Sequence, residues 1–223
     1  MILAEYAGEI PSFHSGLIPL TIRGMLMIAE NSDTEALTAQ ADIHRFYVKV
    51  IQPALAEFVP TDDVVGVETD DIEAFLEGAR RNTHNALCYE MRRTFALIIG
   101  AMFERQLRSW LSGKKPTETK KVEKVEWPAL VKLAETAMGG SIGTDMTEIE
   151  TLWSVANAVR HGNGRAATKL SNTAPQFWDQ ARMKPDLRWK SDLVGNMRIS
   201  DAQLERYATA VMRFWHLAGA SPV

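Results

Sequence analysis

A long helical pattern, from Thr69 to Gly113, constrains the fold of this chain more than any other stretch. An unbroken α-helix of that length would span about 60 Å, because each residue adds ~1.5 Å. Helix propensity is weakest between Asn82 and Asn85, so we expect a break or a kink there. In the second half, apolar residues recur at helical spacing and predict a core stripe, with Arg92 and Arg93 lying off it. This stripe comprises Phe95, Ile98, Ile99, Met102, Phe103, Gln106, Leu107 and Trp110.

Helical patterns also lie on both sides of this segment. A helix-start signal at Asn31–Asp33 predicts a helix from Thr34 to about Phe58, with a kink or break at Pro53. Its predicted buried face comprises Leu37, Ala41, His44, Val48, Ile51 and Leu55. Proline, capping-box and glycine signals predict three later helices, from Trp127 to Gly139, from Thr147 to His161 and from Ser200 to Ala218.

These patterns predict an all-α fold, a bundle of four to five main helices. A lysine-rich loop at 112–126 and a Trp/Pro-rich connection after Arg165 join its helices, and Val194–Ile199 is predicted as a short strand or extended edge. We expect one helical domain over residues 1–223, with 1–68 as accessory helices and 69–223 as the core. No apolar run approaches the ~20 residues that a membrane span needs, so we expect no membrane association.

Composition excludes several classes of site. The chain has one cysteine, Cys88, which cannot form an internal disulfide or a cysteine-based zinc site. Together with an acidic N-terminus that is untypical of signal peptides, this predicts a cytoplasmic protein. The histidines lack the spacing of zinc proteases and di-iron bundles, and no phosphate-cradling glycine motif is present. We therefore expect neither a metal nor a cofactor.

The net charge of −3 is distributed unevenly along the chain. Residues 1–79 carry a net charge of −11, residues 80–124 carry +7, and residues 125–223 carry +1. The basic middle segment could contact phosphates. Alternatively, it could pair with the acidic segment, within one chain or across a dimer.

One helix end combines a clear structural pattern with candidate chemistry, within Thr151–Gly164. Asn157 and His161 are four residues apart and so share a helix face, and Arg160 lies about 100° around. The glycines that follow allow a sharp turn, which would bring two more polar residues to the same end. The predicted site comprises Asn157, Arg160, His161, Asn163 and Arg165.

The segment Asn157–Gly164, on a late helix that follows a long helix containing Phe103–Leu107, resembles the HEPN superfamily over roughly residues 85–218. Members of this superfamily are all-helical, commonly dimeric proteins that occur as prokaryotic toxins, antiphage effectors and RNA-processing modules. The resemblance implies a homodimer that acts on RNA in defence or toxin–antitoxin biology, with a cognate protein partner or antitoxin.

Active HEPN members cleave RNA without metal through a histidine and an arginine a few residues before it. By this resemblance His161 matches the histidine and Asn157 the polar residue after the arginine, but Ser154–Ala156 occupies the arginine's positions. Attack by a 2′-hydroxyl needs a general base and stabilisation of the charged phosphorane, a task suited to a guanidinium. The implied catalytic residues are Asn157, Arg160 and His161, and the implied RNA-binding residues are Asn163, Arg165, Arg92 and Arg93.

Three functions are consistent with these features. The chain could be a metal-independent endoribonuclease, or a non-catalytic module that binds RNA or a protein partner. It could also be a helical regulatory protein in which His161 caps the last carbonyls of its helix and Asn157 satisfies buried backbone groups.

Overall fold

The computed structural model describes residues 33–61, 71–114, 122–140, 145–178 and 192–220. All regular secondary structure within these ranges is helical, which confirms the all-α prediction. The helices are α1 (Thr34–Phe46), α2 (Gln52–Glu57), α3 (Ile72–Lys114), α4 (Trp127–Ala137), α5 (Asp145–His161), α6 (Arg165–Thr173) and α7 (Asp201–Ala220), with a π-helical turn at Tyr47–Ile51 and a 3₁₀ turn at Pro175–Phe177.

Helix α3 is continuous over 43 residues, so the predicted break near Asn82–Asn85 is wrong. Polar side chains in this region bond to the segment that follows α2. Asn85 accepts a hydrogen bond from the Thr61 amide at 2.9 Å and donates one to the Thr61 carbonyl at 2.9 Å. His84 Nε2 lies 3.0 Å from the Val59 carbonyl oxygen. These tertiary bonds offset a low intrinsic helix propensity.

Helices α1, α3 and α7 form the centre of the bundle. Near one end, Arg92 of α3 bonds to Asp201 at the start of α7, and near the other Trp110 contacts Trp215, so the two helices run in the same direction. Helix α1 runs the opposite way, because Asp33 at its start contacts Trp110 and the Gly219 carbonyl. The shared core is aromatic, with edge-to-face contacts among Phe103, Phe214, Trp215 and Trp110.

The buried face predicted for α1 is displaced by about one residue from the face that the structure buries. The structure buries Ala36, Ala39 and Ile43, whereas Ala41 and His44 are exposed. The π-helical turn after α1 inserts an extra residue, which shifts the helix faces on its two sides relative to each other. The prediction assumed one helical period from Thr34 to Phe58. It therefore agrees with the observed burial after the turn, where Ile51 and Leu55 are buried, but not before it.

The connection between α5 and α7 differs from its prediction. Arg165–Thr173 forms helix α6, which the sequence pattern did not predict. The segment predicted as a strand or edge begins with a turn, closed by the Asn196 amide on the Asp192 carbonyl at 3.2 Å. The predicted capping box at Ser200–Gln203 is confirmed, with the Ser200 amide donating to Gln203 Oε1 at 2.7 Å and the Gln203 amide donating to Ser200 Oγ at 3.2 Å.

Candidate functional site

Helix α5 is held against α3 by a close backbone approach. A Cβ added at Gly100 of α3 would lie 2.8 Å from the Cβ of Ala156 and 3.7 Å from Leu152 Cγ. The buried residues Ile149 and Val155 complete this inner face. Since small residues set the separation of the two helices, the register that positions the end of α5 is tightly defined.

The predicted end of α5 is confirmed at His161. Gly162 follows in the left-handed region with φ +69°, where glycine is favoured because it lacks a Cβ. Its carbonyl accepts the Gly164 amide at 2.8 Å, and α6 begins at the next residue. A connection of three residues therefore brings the end of α5 directly to the start of α6.

Asn163, in this connection, links the site to the turn before α7. Its Nδ2 donates to Asp192 Oδ1 at 3.2 Å, and its Oδ1 accepts the Val194 amide at 2.8 Å. The nitrogen and the oxygen of the Asn163 side chain therefore both bond to the turn before α7. These bonds join the α5–α6 connection to that turn, which gives Asn163 a positioning role.

Basic side chains lie exposed where the two helices meet. Arg160 and His161 end α5, and Arg165 begins α6 with Lys169 one turn later on the same exposed side. Arg160 Nη1 lies 3.7 Å from Glu104 Oε2, a surface pair that contributes little. His161, Arg165 and Lys169 make no side-chain hydrogen bond or ion pair in the ranges that the structure describes. We call these four residues the α5–α6 corner.

Sequence patterns did not predict Lys169 as part of the site because they did not predict α6. The available signal was short, consisting of Ala166, Ala167 and Leu170 at helical spacing after Gly164. The structure buries Ala167 and Leu170 and so turns Arg165 and Lys169 outward.

Asn157 and Trp153 lie on α5 before the corner. Asn157 is half-buried and its side chain has no hydrogen-bond partner among the described residues. One turn earlier, Trp153 is also half-buried and stacks on Trp127 with ring centroids 5.3 Å apart and an interplanar angle of 12°. The face predicted to carry Asn157 and His161 is therefore partly accessible.

Two of the three positions that the HEPN resemblance assigns to an arginine cannot hold one here without repacking. Val155 is fully buried, and Ala156 is buried against Gly100. Ser154 is half-buried. A guanidinium on either buried residue would replace close helix packing with a large charged group, which is strongly unfavourable.

Arg92 and Arg93, predicted as RNA-binding residues, are not part of the α5–α6 corner. Both are buried, which corrects the expectation that they lie off the core stripe. Arg92 Nε donates to Asp201 Oδ1 at 2.7 Å, and its Nη1 donates to the carbonyls of Phe58 and Cys88. The Arg92 guanidinium can be buried because its N–H groups donate to these three acceptors.

Arg93 is engaged in the same way by the segment before α7. Its Nη1 donates to the Gly195 and Met197 carbonyls at 3.0 and 2.9 Å, and its Nη2 donates to Glu90 Oε2 at 2.6 Å. The predicted RNA-binding role of these two arginines stays a prediction, whereas the observed bonds give each a structural role.

The described ranges contain no group of three or more histidine, cysteine or acidic residues that could hold a metal ion. Within the same ranges, no helix combines the length and apolarity needed to cross a membrane. No protein-family model, curated protein or solved structure matches this chain. Its resemblance to the HEPN superfamily therefore rests on the sequence motif.

Proposed function

We propose that this chain is a HEPN-like protein that binds RNA through the α5–α6 corner, without the arginine–histidine cleavage of active HEPN members. The observation that carries the proposal is the exposure of Arg160, His161, Arg165 and Lys169 on two helices joined by three residues. Three of these side chains have no partner in the described structure, so they can contact a ligand without breaking existing bonds.

The start of α6 adds backbone donors to this corner. Its N-cap is Gly164, which offers no side chain to the first amides of the helix. Unpaired amides and the positive end of the helix dipole both favour an anion at this position. Arg165 supplies a guanidinium beside them, and such groups bind phosphate oxygens in pairs. The ligand chemistry that fits is a phosphate backbone.

The packing of α5 supports binding without cleavage. The motif arginine is absent. Ala156, at one of its possible positions, packs directly against Gly100. His161 could still act as a general base, but the charge that stabilises the phosphorane would have to come from elsewhere. The context suggested by the resemblance, prokaryotic defence or toxin–antitoxin biology, is part of the same proposal.

Metal-independent cleavage of RNA is the second candidate function. It is favoured by the exposure of His161, which shares a helix face with Asn157. Arg160 would then supply the guanidinium, because its pair with Glu104 at 3.7 Å is a surface pair that is easily exchanged.

The binding test measures fluorescence anisotropy of a labelled single-stranded RNA at several salt concentrations. We expect the Arg165→Ala/Lys169→Ala variant to bind more weakly and to lower the salt slope by about 1.4, at ~0.7 per lost phosphate contact. Arg45→Ala is the matched control, because Arg45 is an exposed arginine on α1 with a surface partner at 3.6 Å. Equal affinities for both variants would reject the α5–α6 corner as the binding surface.

The cleavage test incubates the same RNA with the chain in chelator, beside His161→Ala. Binding without cleavage supports the proposal. Cleavage that His161→Ala abolishes would replace it with the endoribonuclease alternative. Cleavage that persists in the variant would exclude His161 as the general base, and the binding measurement would then decide.

A further inference from the structure

One face of α5 leads from the α5–α6 corner to an aromatic side chain. Trp153, Asn157 and His161 lie four residues apart and so share this face, which is about 12 Å long at ~1.5 Å per residue. His161 is exposed, whereas Asn157 and Trp153 are half-buried. Glu150, one turn before Trp153, is exposed. Away from the corner, the face therefore changes from basic to a neutral amide, then to an aromatic ring and then to an acid.

The ring of Trp153 is held in place from behind. It stacks on Trp127, which is buried and packs edge-to-face on the core residue Phe103 with ring centroids 6.0 Å apart. Since Trp127 covers one face of the Trp153 ring, the accessible atoms of that ring lie on its other face and its edges. A nucleobase that stacks there meets a ring that is already ordered, so little side-chain entropy is lost on binding.

Asn157 places hydrogen-bonding atoms one turn from this ring. Its side chain is half-buried and has no hydrogen-bond partner among the described residues. The amide nitrogen and oxygen both reach solvent, because neither belongs to the fully buried polar atoms that lack a partner. A side-chain amide donates and accepts at the same time, and asparagine pairs in this way with the edge of adenine.

We propose that one adenine of the bound RNA stacks on the accessible side of Trp153 and forms hydrogen bonds with the Asn157 amide. This inference rests on the proposed binding of RNA at the α5–α6 corner, and it adds the recognition of a base to the contacts with phosphates. The base must be unpaired and unstacked to reach the ring, so the ligand is single-stranded RNA. The negative charge of Glu150 repels the phosphate backbone beyond Trp153, so this face binds a single base.

Two labelled strands of the same length test whether a base is bound, one made of adenosines and one of abasic ribose phosphates. Both carry the same backbone charge, so any difference in affinity comes from the bases. We expect the unmodified chain to bind the adenosine strand more tightly by about fivefold or more, measured by fluorescence anisotropy. Equal affinity for the two strands would overturn the inference without any variant.

Trp153→Leu tests the stacking contact. We expect this variant to lose the preference for adenosine but to keep its affinity for the abasic strand, because the phosphate contacts at the α5–α6 corner remain. Phe46→Leu is the matched control and should keep the preference, since Phe46 is also half-buried and packs edge-to-face on Phe95 at 6.4 Å. An unchanged preference in Trp153→Leu would overturn the stacking contact. If Trp153→Leu loses both affinities it is misfolded, and an undiminished preference in the milder Trp153→Phe variant would then overturn it.

Asn157→Ala tests the contact with the edge of the base. We expect it to lower the ratio of affinities for adenosine and uridine strands by about fivefold or more, because alanine cannot form the paired hydrogen bonds. Thr151→Ala is the control, since Thr151 is another half-buried polar residue of α5 and its hydroxyl donates to the Thr147 carbonyl. A ratio that Asn157→Ala leaves unchanged would overturn the role of Asn157.

Failure of this inference can be distinguished from failure of the proposed function. An absence of RNA binding, or binding that Arg165→Ala/Lys169→Ala leaves unchanged, would reject the α5–α6 corner and this inference with it. Binding that depends on the corner but is equally tight for adenosine and abasic strands would overturn this inference alone.

Discussion

Gly100 of α3 and Ala156 of α5 approach so closely that a Cβ on Gly100 would lie 2.8 Å from the Cβ of Ala156. Real Cβ atoms are essentially never this close, so the contact requires glycine at one of the two positions. By the HEPN resemblance, Ala156 is one of the positions at which active members would carry their arginine. The observed contact with Gly100 sets the packing of the two helices at this position.

Gly100→Ala should destabilise the fold by about 1–3 kcal/mol, because the added methyl group forces two packed helices apart. This loss would occur although alanine is the better helix former. Urea denaturation followed by circular dichroism gives the free energy of unfolding. Gly140→Ala is the control, since a Cβ there meets nothing within 4 Å. The double variant Gly100→Ala/Ala156→Gly should recover most of the loss, and its failure to do so would show that another contact is limiting.

Arg92→Met should lower the free energy of unfolding by about 1–3 kcal/mol, because the Phe58 and Cys88 carbonyls lose their donor. RNA affinity measured on the folded variant should be unchanged. Arg45→Met, at an exposed position, should change stability by less than about 0.5 kcal/mol. Lost RNA binding in a fully folded Arg92→Met protein would assign this arginine to the RNA site after all.

Asp33 should make the fold sensitive to acid. Burial by itself raises the pKa of Asp33, but hydrogen bonds from Lys114, Trp110 and the Ala36 amide outweigh it, so the pKa is lowered from its ordinary value of 3.8. A lowered pKa stabilises the fold above that ordinary value, and the contribution is lost as pH falls through the folded pKa.

Asp33→Asn removes this charge and keeps an N-cap oxygen, but it also replaces Oδ2, which accepts from Trp110 and pairs with Lys114, by an amide group that can only donate. We expect the variant to be about 1–2 kcal/mol less stable at neutral pH and to lose less stability below pH ~4. Chemical denaturation across this pH range measures both effects. Parallel stability curves for the two proteins would contradict the assignment.

Tyr207→Phe should leave the fold equally stable or stabilise it by up to about 1 kcal/mol. The Tyr207 hydroxyl is buried without a hydrogen-bond partner in the described structure, and burial raises its pKa. Removing an unsatisfied polar group removes its desolvation cost. Tyr207→Leu is the control for loss of the ring and should be clearly destabilising. A Tyr207→Phe variant weakened by more than 1 kcal/mol would mean that the hydroxyl is bonded, for example to a buried water.

Local signals predicted several helix ends, but the capping box predicted at Thr147 is wrong, because α5 begins at Asp145 and Thr147 lies inside the helix. Asp33 caps α1 by accepting the Glu35 and Ala36 amides, Ser200 and Gln203 form their capping box, and Gly162 follows the last residue of α5. The chemistry of such ends lies within a few neighbouring residues, and it can be read before any packing is known. The candidate residues at the end of α5 were found in this way.

The sequence by itself determined the all-α class, the core stripe of α3 and the polar end of α5, because helix periodicity and capping are local. Tertiary structure alone decided that α3 continues through Asn85, that Arg92 and Arg93 are buried, and that α6 brings Lys169 beside Arg165. Each of these depends on partners distant in sequence. Such contacts outweigh local propensity, since a buried donor is stable only where the fold supplies its acceptor.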